Sequence, residues 1–109
     1  MANTFRNKVV NSVGTDVTEI LSVGAAERAT IVGLSITNLI TSFVYVDIII
    51  KDESSIEGFY LRENLLPAQT SLRAVNQGEK LILAPNNSLS IRSTREDSVD
   101  VIVSYVETV

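Results

Sequence analysis

The groups in this chain that could do chemistry are its paired carboxylates, Asp52-Glu53 and Glu96-Asp97, with Asp100 close by. Two carboxylates in one cleft can divide general acid and general base roles, provided their surroundings push the two pKa values apart. Both pairs instead fall in stretches that read as hairpin turns, where acidic side chains favour solvent and turn geometry. The run Asp52-Glu53-Ser54-Ser55-Ile56-Glu57-Gly58 lacks the alternating ligands and sixth-position glycine of a calcium loop. The chain has no histidine and no cysteine, which removes the commonest general base, thiol nucleophiles, disulfides and thiolate metal sites. No lysine stands at Ser-x-x-Lys spacing, so no serine has a visible activator. Gly14, Gly24, Gly33, Gly58 and Gly78 are isolated and form no phosphate-cradling loop; Gly14 and Gly78 are expected to supply positive φ in turns. Tyr45, Tyr60 and Tyr105 are not clustered, and without tryptophan they make no obvious sugar shelf. No enzyme, metal or cofactor is expected.

The 109 residues fit one domain. Surface scaling gives roughly 6,000 Å² exposed when folded against about 17,000 Å² when extended, enough burial for a core without staples. With 45% hydrophobic and 20% charged residues, the composition is that of a globular chain. The net charge of −4 and the nine dispersed basic residues argue against a nucleic-acid partner. Apolar runs such as Ile48-Ile49-Ile50 are too short to span a bilayer. The opening Met1-Ala2-Asn3-Thr4-Phe5-Arg6 shows no signal-peptide core, so synthesis in the cytoplasm without a signal peptide is expected.

The elements that must position these groups are strands. Val, Ile and Thr supply 34 of the 109 residues, and such side chains suit a pleated surface better than a helix. Period two is clearest over 30–38, where Val32, Leu34 and Ile36 alternate with Gly33, Ser35 and Thr37. Over 42–51 it sets Val44, Val46, Ile48 and Ile50 against Phe43, Tyr45, Asp47, Ile49 and Lys51. Over 98–107 it sets Val99, Val101, Val103 and Tyr105 against Asp100, Ile102, Ser104 and Val106. Shorter strands are expected at 4–13, 17–23, 57–62, 71–75, 80–83 and 88–93, with turns at 13–16, 52–55, 76–79, 85–88 and 94–97. The loop 25–28 has room for a single helical turn. The expected fold is all-β: a single-domain antiparallel β-sandwich or jelly-roll-like barrel of about eight strands spanning 1–109. Residues 1–8, polar around one anchor, Phe5, are a candidate N-terminal arm that adds a strand to a neighbouring subunit.

Strands 43–51 and 99–106 carry apolar residues on the side that should face water. Phe43, Tyr45, Ile49, Ile102 and Val106, together with Phe5, are therefore the expected oligomer contacts. If the two strands share a sheet, these residues form one patch.

The opening Met1–Lys8 followed by Val13-Gly14-Thr15 resembles that of small virion structural proteins of tailed bacteriophages, including cyanophages. Similar in pattern are 29–38, an alternating strand ending in Asn38; Leu66-Pro67-Ala68-Gln69-Thr70-Ser71-Leu72; the Gly78–Ser93 passage of turn and strand; and the ending Val103-Ser104-Tyr105-Val106-Glu107. The chain departs from the group at Pro85-Asn86-Asn87, where Gly-Asp is more usual. The resemblance implies a component of the particle, and the off-core apolar strand faces imply one that self-associates and docks on other virion proteins (major capsid, neck or tail proteins). Its place would be the head, as decoration or cement, or the head-to-tail neck. A second reading is a tail or tail-tip module binding host surface glycan, and a third is a host-cell adaptor with a peptide-binding sheet edge.

Overall fold

The computed structural model describes residues 3–75 and 80–108. The expected turn at 76–79, including Gly78, lies outside the described residues. Nine strands run in order: β1 (Asn3–Val13), β2 (Thr18–Ser22), β3 (Arg28–Asn38), β4 (Val44–Lys51), β5 (Glu57–Leu66), β6 (Ser71–Val75), β7 (Leu81–Leu83), β8 (Ser88–Ser93) and β9 (Val99–Thr108). Among the described residues there is no helix; 24–27 is a tight turn in which the Glu27 N–H donates to the Gly24 carbonyl at 3.3 Å.

The pairing explains the architecture. β1 pairs β9, β2 pairs β8, β3 pairs β6 and β7, and β4 pairs β5, all antiparallel. This is the nesting of one long hairpin folded at the β4–β5 connection. Two further ladders, β3 with β9 and β4 with β8, roll that hairpin into two sheets. Sheet 1 has the order β1-β9-β3-β6, with β7 sharing the same side of β3 as β6; sheet 2 has the order β2-β8-β4-β5. Counting β6 and β7 as one interrupted strand, this is an eight-stranded jelly roll.

Between the sheets lies an aliphatic core. Ile20, Ile31, Leu34, Ile36, Val44, Val46, Ile48, Leu89, Ile91, Val99, Val101 and Val103 are all fully buried. The folded surface is 6377 Å², close to the scaling estimate. At the open flank, the Tyr60 hydroxyl donates to the Ala74 carbonyl and ties sheet 2 to sheet 1.

Bulges set which residues face inward. In β3 the partner of Tyr105 is Ile31 and that of Ser104 is Gly33, so Val32 is an extra residue. The inward set is consequently Ala29 and Ile31, then Leu34, Ile36 and Asn38, while Val32 is 43% exposed. That corrects the simple alternation through Val32. Gly14 is corrected too. Its φ is not positive, and the left-handed position near it is Ser12, at φ 53°. Gly14 instead lies against the Glu96 carboxylate, the mobile end of an exposed side chain that a Cβ there would push aside.

Candidate functional site

The turn carboxylates have structural partners. Asp52 Oδ1 accepts from the Ser54 and Ile56 N–H groups at 2.9 and 3.0 Å, closing its own turn. Glu96 accepts from both the hydroxyl and the N–H of Thr15, which together hold its pKa below the ordinary value. Asp100 Oδ1 accepts from the Ser12 N–H at 2.9 Å and anchors the β1 bulge. Among the described residues no group of three or more acidic, histidine or cysteine side chains is placed to hold a metal.

One carboxylate that the sequence did not single out has a larger part. Asp47 sits on β4 opposite a bulge at Arg62–Glu63 and is 8% exposed. Its Oδ1 accepts from the Glu63 N–H at 2.6 Å, where Glu63 has φ 47°. Its Oδ2 accepts from Arg92 Nε and Nη2 at 3.2 and 2.6 Å. Burial pushes this carboxyl upward, but the Glu63 N–H and the hydrogen bonds and charge of Arg92, with Arg62 beyond, outweigh it and leave it below the ordinary value. The group pins β5 to β4 and β8. It is a structural clasp.

What remains for function is the exterior. All three phenylalanines are outside the core: Phe5 is 83% exposed, Phe43 56% and Phe59 49%. The core is complete without them, since buried aliphatics fill both inner faces.

The two strands carrying the expected contacts lie in different sheets, so they form two patches rather than one. On the outer face of sheet 1, Phe5 stands opposite Val106, Val106 opposite Thr30, and Thr30 opposite Ile82. Directly opposed residues share a face, so this is an apolar-rich row across four strands. A second row runs Val9, Ile102, Ser35, Arg73. Phe5, Ile102 and Val106 are thus brought together. Val9 and Ile82, 61% and 65% exposed, complete the patch and were missed from sequence. Their strands are polar or short, and only the pairing partners reveal their side.

On the outer face of sheet 2, Tyr45 opposes Leu65, and Ile49 opposes Phe59. Phe43 packs edge-on against Tyr45, with ring centroids 5.6 Å apart. Arg62 lies over the Phe59 ring at 5.1 Å. Phe43 and Tyr45 share a shallow hollow with Thr15, Thr94, Arg95 and Glu96 at one end of the barrel. Ile49 and Val106 are half-buried, while Phe5, Phe43, Tyr45 and Ile102 are exposed. Between the apolar ends of this face runs the Asp47–Arg92 pair, so sheet 2 carries a fixed ion pair at its centre.

No protein-family description matches the sequence, and no curated protein does. Solved structures match in fold. A chain from the infectious bursal disease virus particle superposes with a TM-score of 0.59 at 9% identity, over 98% of this chain and 31% of that one. A chain from the acid-stable capsid of Helicobacter pylori bacteriophage KHP30 gives 0.57 at 10% identity, over 100% of this chain and 89% of that one. A VP2 mutant of infectious bursal disease virus, from derived particles, gives 0.56 at 9% identity, over 96% and 31%. The likeness is one of fold. This chain spans about a third of the bursal virus chains and nearly all of the phage capsid chain.

Proposed function

We propose that the chain is a structural subunit of a tailed-phage virion, one that self-associates and docks on the outside of the head or at the neck to stabilise the particle. The single observation that carries this reading is that every phenylalanine and two outer sheet faces are left to solvent by a core that is already full. Apolar surface retained outside a finished core is material for contacts. Three further points support it. The fold is shared with chains from two kinds of viral particle. The phage capsid chain is nearly the same length, so a domain of this size stands alone within a capsid, which favours the head over the neck. The opening residues resemble those of small phage virion proteins.

The outer face of sheet 2 is the docking face in this reading. Its aromatic ends flank fixed charges, Asp47–Arg92 and Arg62 over Phe59, and charges held in place select an unlike partner with matching potential. Replacing Tyr45 and Ile49 together with Lys leaves the core untouched and should abolish attachment to particles lacking the native subunit, with circular dichroism unchanged. If the double variant decorates particles as the unaltered chain does, the docking face is wrong. If the unaltered chain fails to attach, the function is wrong.

A further inference from the structure

We infer that the outer face of sheet 1 packs against a second copy of this chain, face to face, about a twofold axis that passes beside Ser104 and Gly33. The inference rests on the self-association in the proposed function and names its surface and geometry.

The first observation is charge. The protein carries −4, yet the outer face of sheet 1 bears one carboxylate, Asp100, whose Oδ1 is occupied by the Ser12 N–H. Between Asp100 at one end and Arg28 at the other, the outward positions are Phe5, Asn7, Val9, Ile102, Ser104 and Val106, then Thr30, Val32, Ser35 and Ile82, with Arg73 at the margin. Two acidic chains meet with least repulsion on such a face, and uncharged groups cost little to desolvate.

The second observation is symmetry. On β9 the two apolar rows are centred at Val106 and Ile102, and the ends of the face at Thr108 (opposite Arg28) and Asp100. Both pairs have Ser104 as their midpoint. An axis in the plane of the face, across the strands at Ser104, therefore lays the Phe5–Val106 row of one copy on the Val9–Ile102 row of the other. The same operation lays the Arg28 end over the Asp100 end, one strand spacing (~4.8 Å) aside and within an arginine's reach. An axis along β3 would instead stack Arg28 on Arg28, and one along β9 would stack Asp100 on Asp100. Of these, only the first sets Phe5 and Val106 on Val9 and Ile102 and brings cation toward anion, with Ile82 meeting the Arg73 stem at the edge, and it is isologous and closed.

The third is shape and size. The extra residue Val32 projects beside a shallow concavity lined by Gly33, Ser35, Arg73, Ile102 and Ser104. A face four strands wide and eight residues long measures about 19 by 26 Å. That is about 500 Å² in projection, short of the roughly 800 Å² per partner of a standard interface and within the range of weaker, transient pairs. Sheets packed this way lie about 10 Å apart.

The chain has no cysteine, so a single introduced thiol reports cleanly. Ser104→Cys, next to the axis, should be converted to a covalent dimer by a short bismaleimide, whereas Tyr45→Cys on sheet 2 should stay monomeric. Sedimentation should give a dimer for the unaltered chain at about 100 μM. Ile102→Arg should weaken it at least about 100-fold, the effect of one unpaired charge in a desolvated contact, while keeping its circular dichroism. Val9→Lys, at an exposed edge position, provides the same reading if Ile102→Arg does not fold. A monomeric unaltered chain, or equal cross-linking of the two thiol variants, overturns the inference. Particle attachment measured on Ile102→Arg separates this outcome from failure of the proposed function.

Discussion

Two buried polar side chains decide how the loops close. Asn38 is 1% exposed at the end of β3, and its Nδ2 lies 3.0 to 3.1 Å from the carbonyls of Ser42, Leu66 and Pro67. Its Oδ1 accepts from the Ile40 N–H at 2.9 Å. Asn38→Ala would strand several buried backbone groups, and about 3 kcal/mol of stability should be lost, read as a lower urea midpoint with an unchanged slope. Asp47 behaves differently because it ionises. Its folded pKa is depressed, so its contribution is complete above the unfolded value near 4 and fades as pH falls through the folded one. Asp47→Asn should therefore be less stable than the unaltered chain at about pH 7, by about 1–2 kcal/mol, and the difference should shrink at about pH 3. Neither role was legible in the sequence. Asn38 was visible only as the end of an alternating strand and Asp47 only as an interruption of an apolar face, since the partners of each lie 16 to 45 residues away for Asp47 and up to 29 for Asn38.

Strands were the most legible level. Period-two patterning and turn residues locate all nine, because each pattern is local; β6 and β8 fall on the residues expected. Which flank of a strand meets the core was legible only where no bulge intervenes. It holds along β9, where Val99, Val101, Val103 and Tyr105 are buried, and fails at Val32 because the extra residue is imposed by the β9 register. Pairing order was not legible, since β1 must find β9 across the entire chain. β1 also divides along its length. Thr4, Arg6 and Lys8 occupy the side shared with buried Val103 and Tyr105, yet all three are exposed, and only Val10 and Val13 reach the core. The Arg6–Glu107 pair at 3.7 Å is exposed and adds little. Residues 3–8 of the candidate arm (1–8) are held to β9 of the same chain by backbone pairing and two exposed side-chain contacts, with no core packing. Their amides should exchange with solvent faster than those of β9 by at least about tenfold, with protection rising on dimer formation if the outer face is covered. Uniform protection along β1 would contradict this division.

The molecule measures 45 × 27 × 21 Å. Its two outer faces differ in character: one is largely apolar, with Asp100, Arg28 and Arg73 toward its borders, and the other is ion-paired at its centre. A particle subunit with that asymmetry can address its own copy and an unlike neighbour without competition between them. At the end of the β1–β9 ladder Asn3 stands directly opposite Thr108, whose hydroxyl donates to Asn3 Oδ1 at 2.9 Å. Force applied through those two points would open the β1–β9 ladder from its last rung, one bond at a time, as a zipper yields. Load carried across the broad faces would strain many bonds together in shear. The molecule is therefore mechanically weak when parted at Asn3 and Thr108 and stronger when gripped by its flanks.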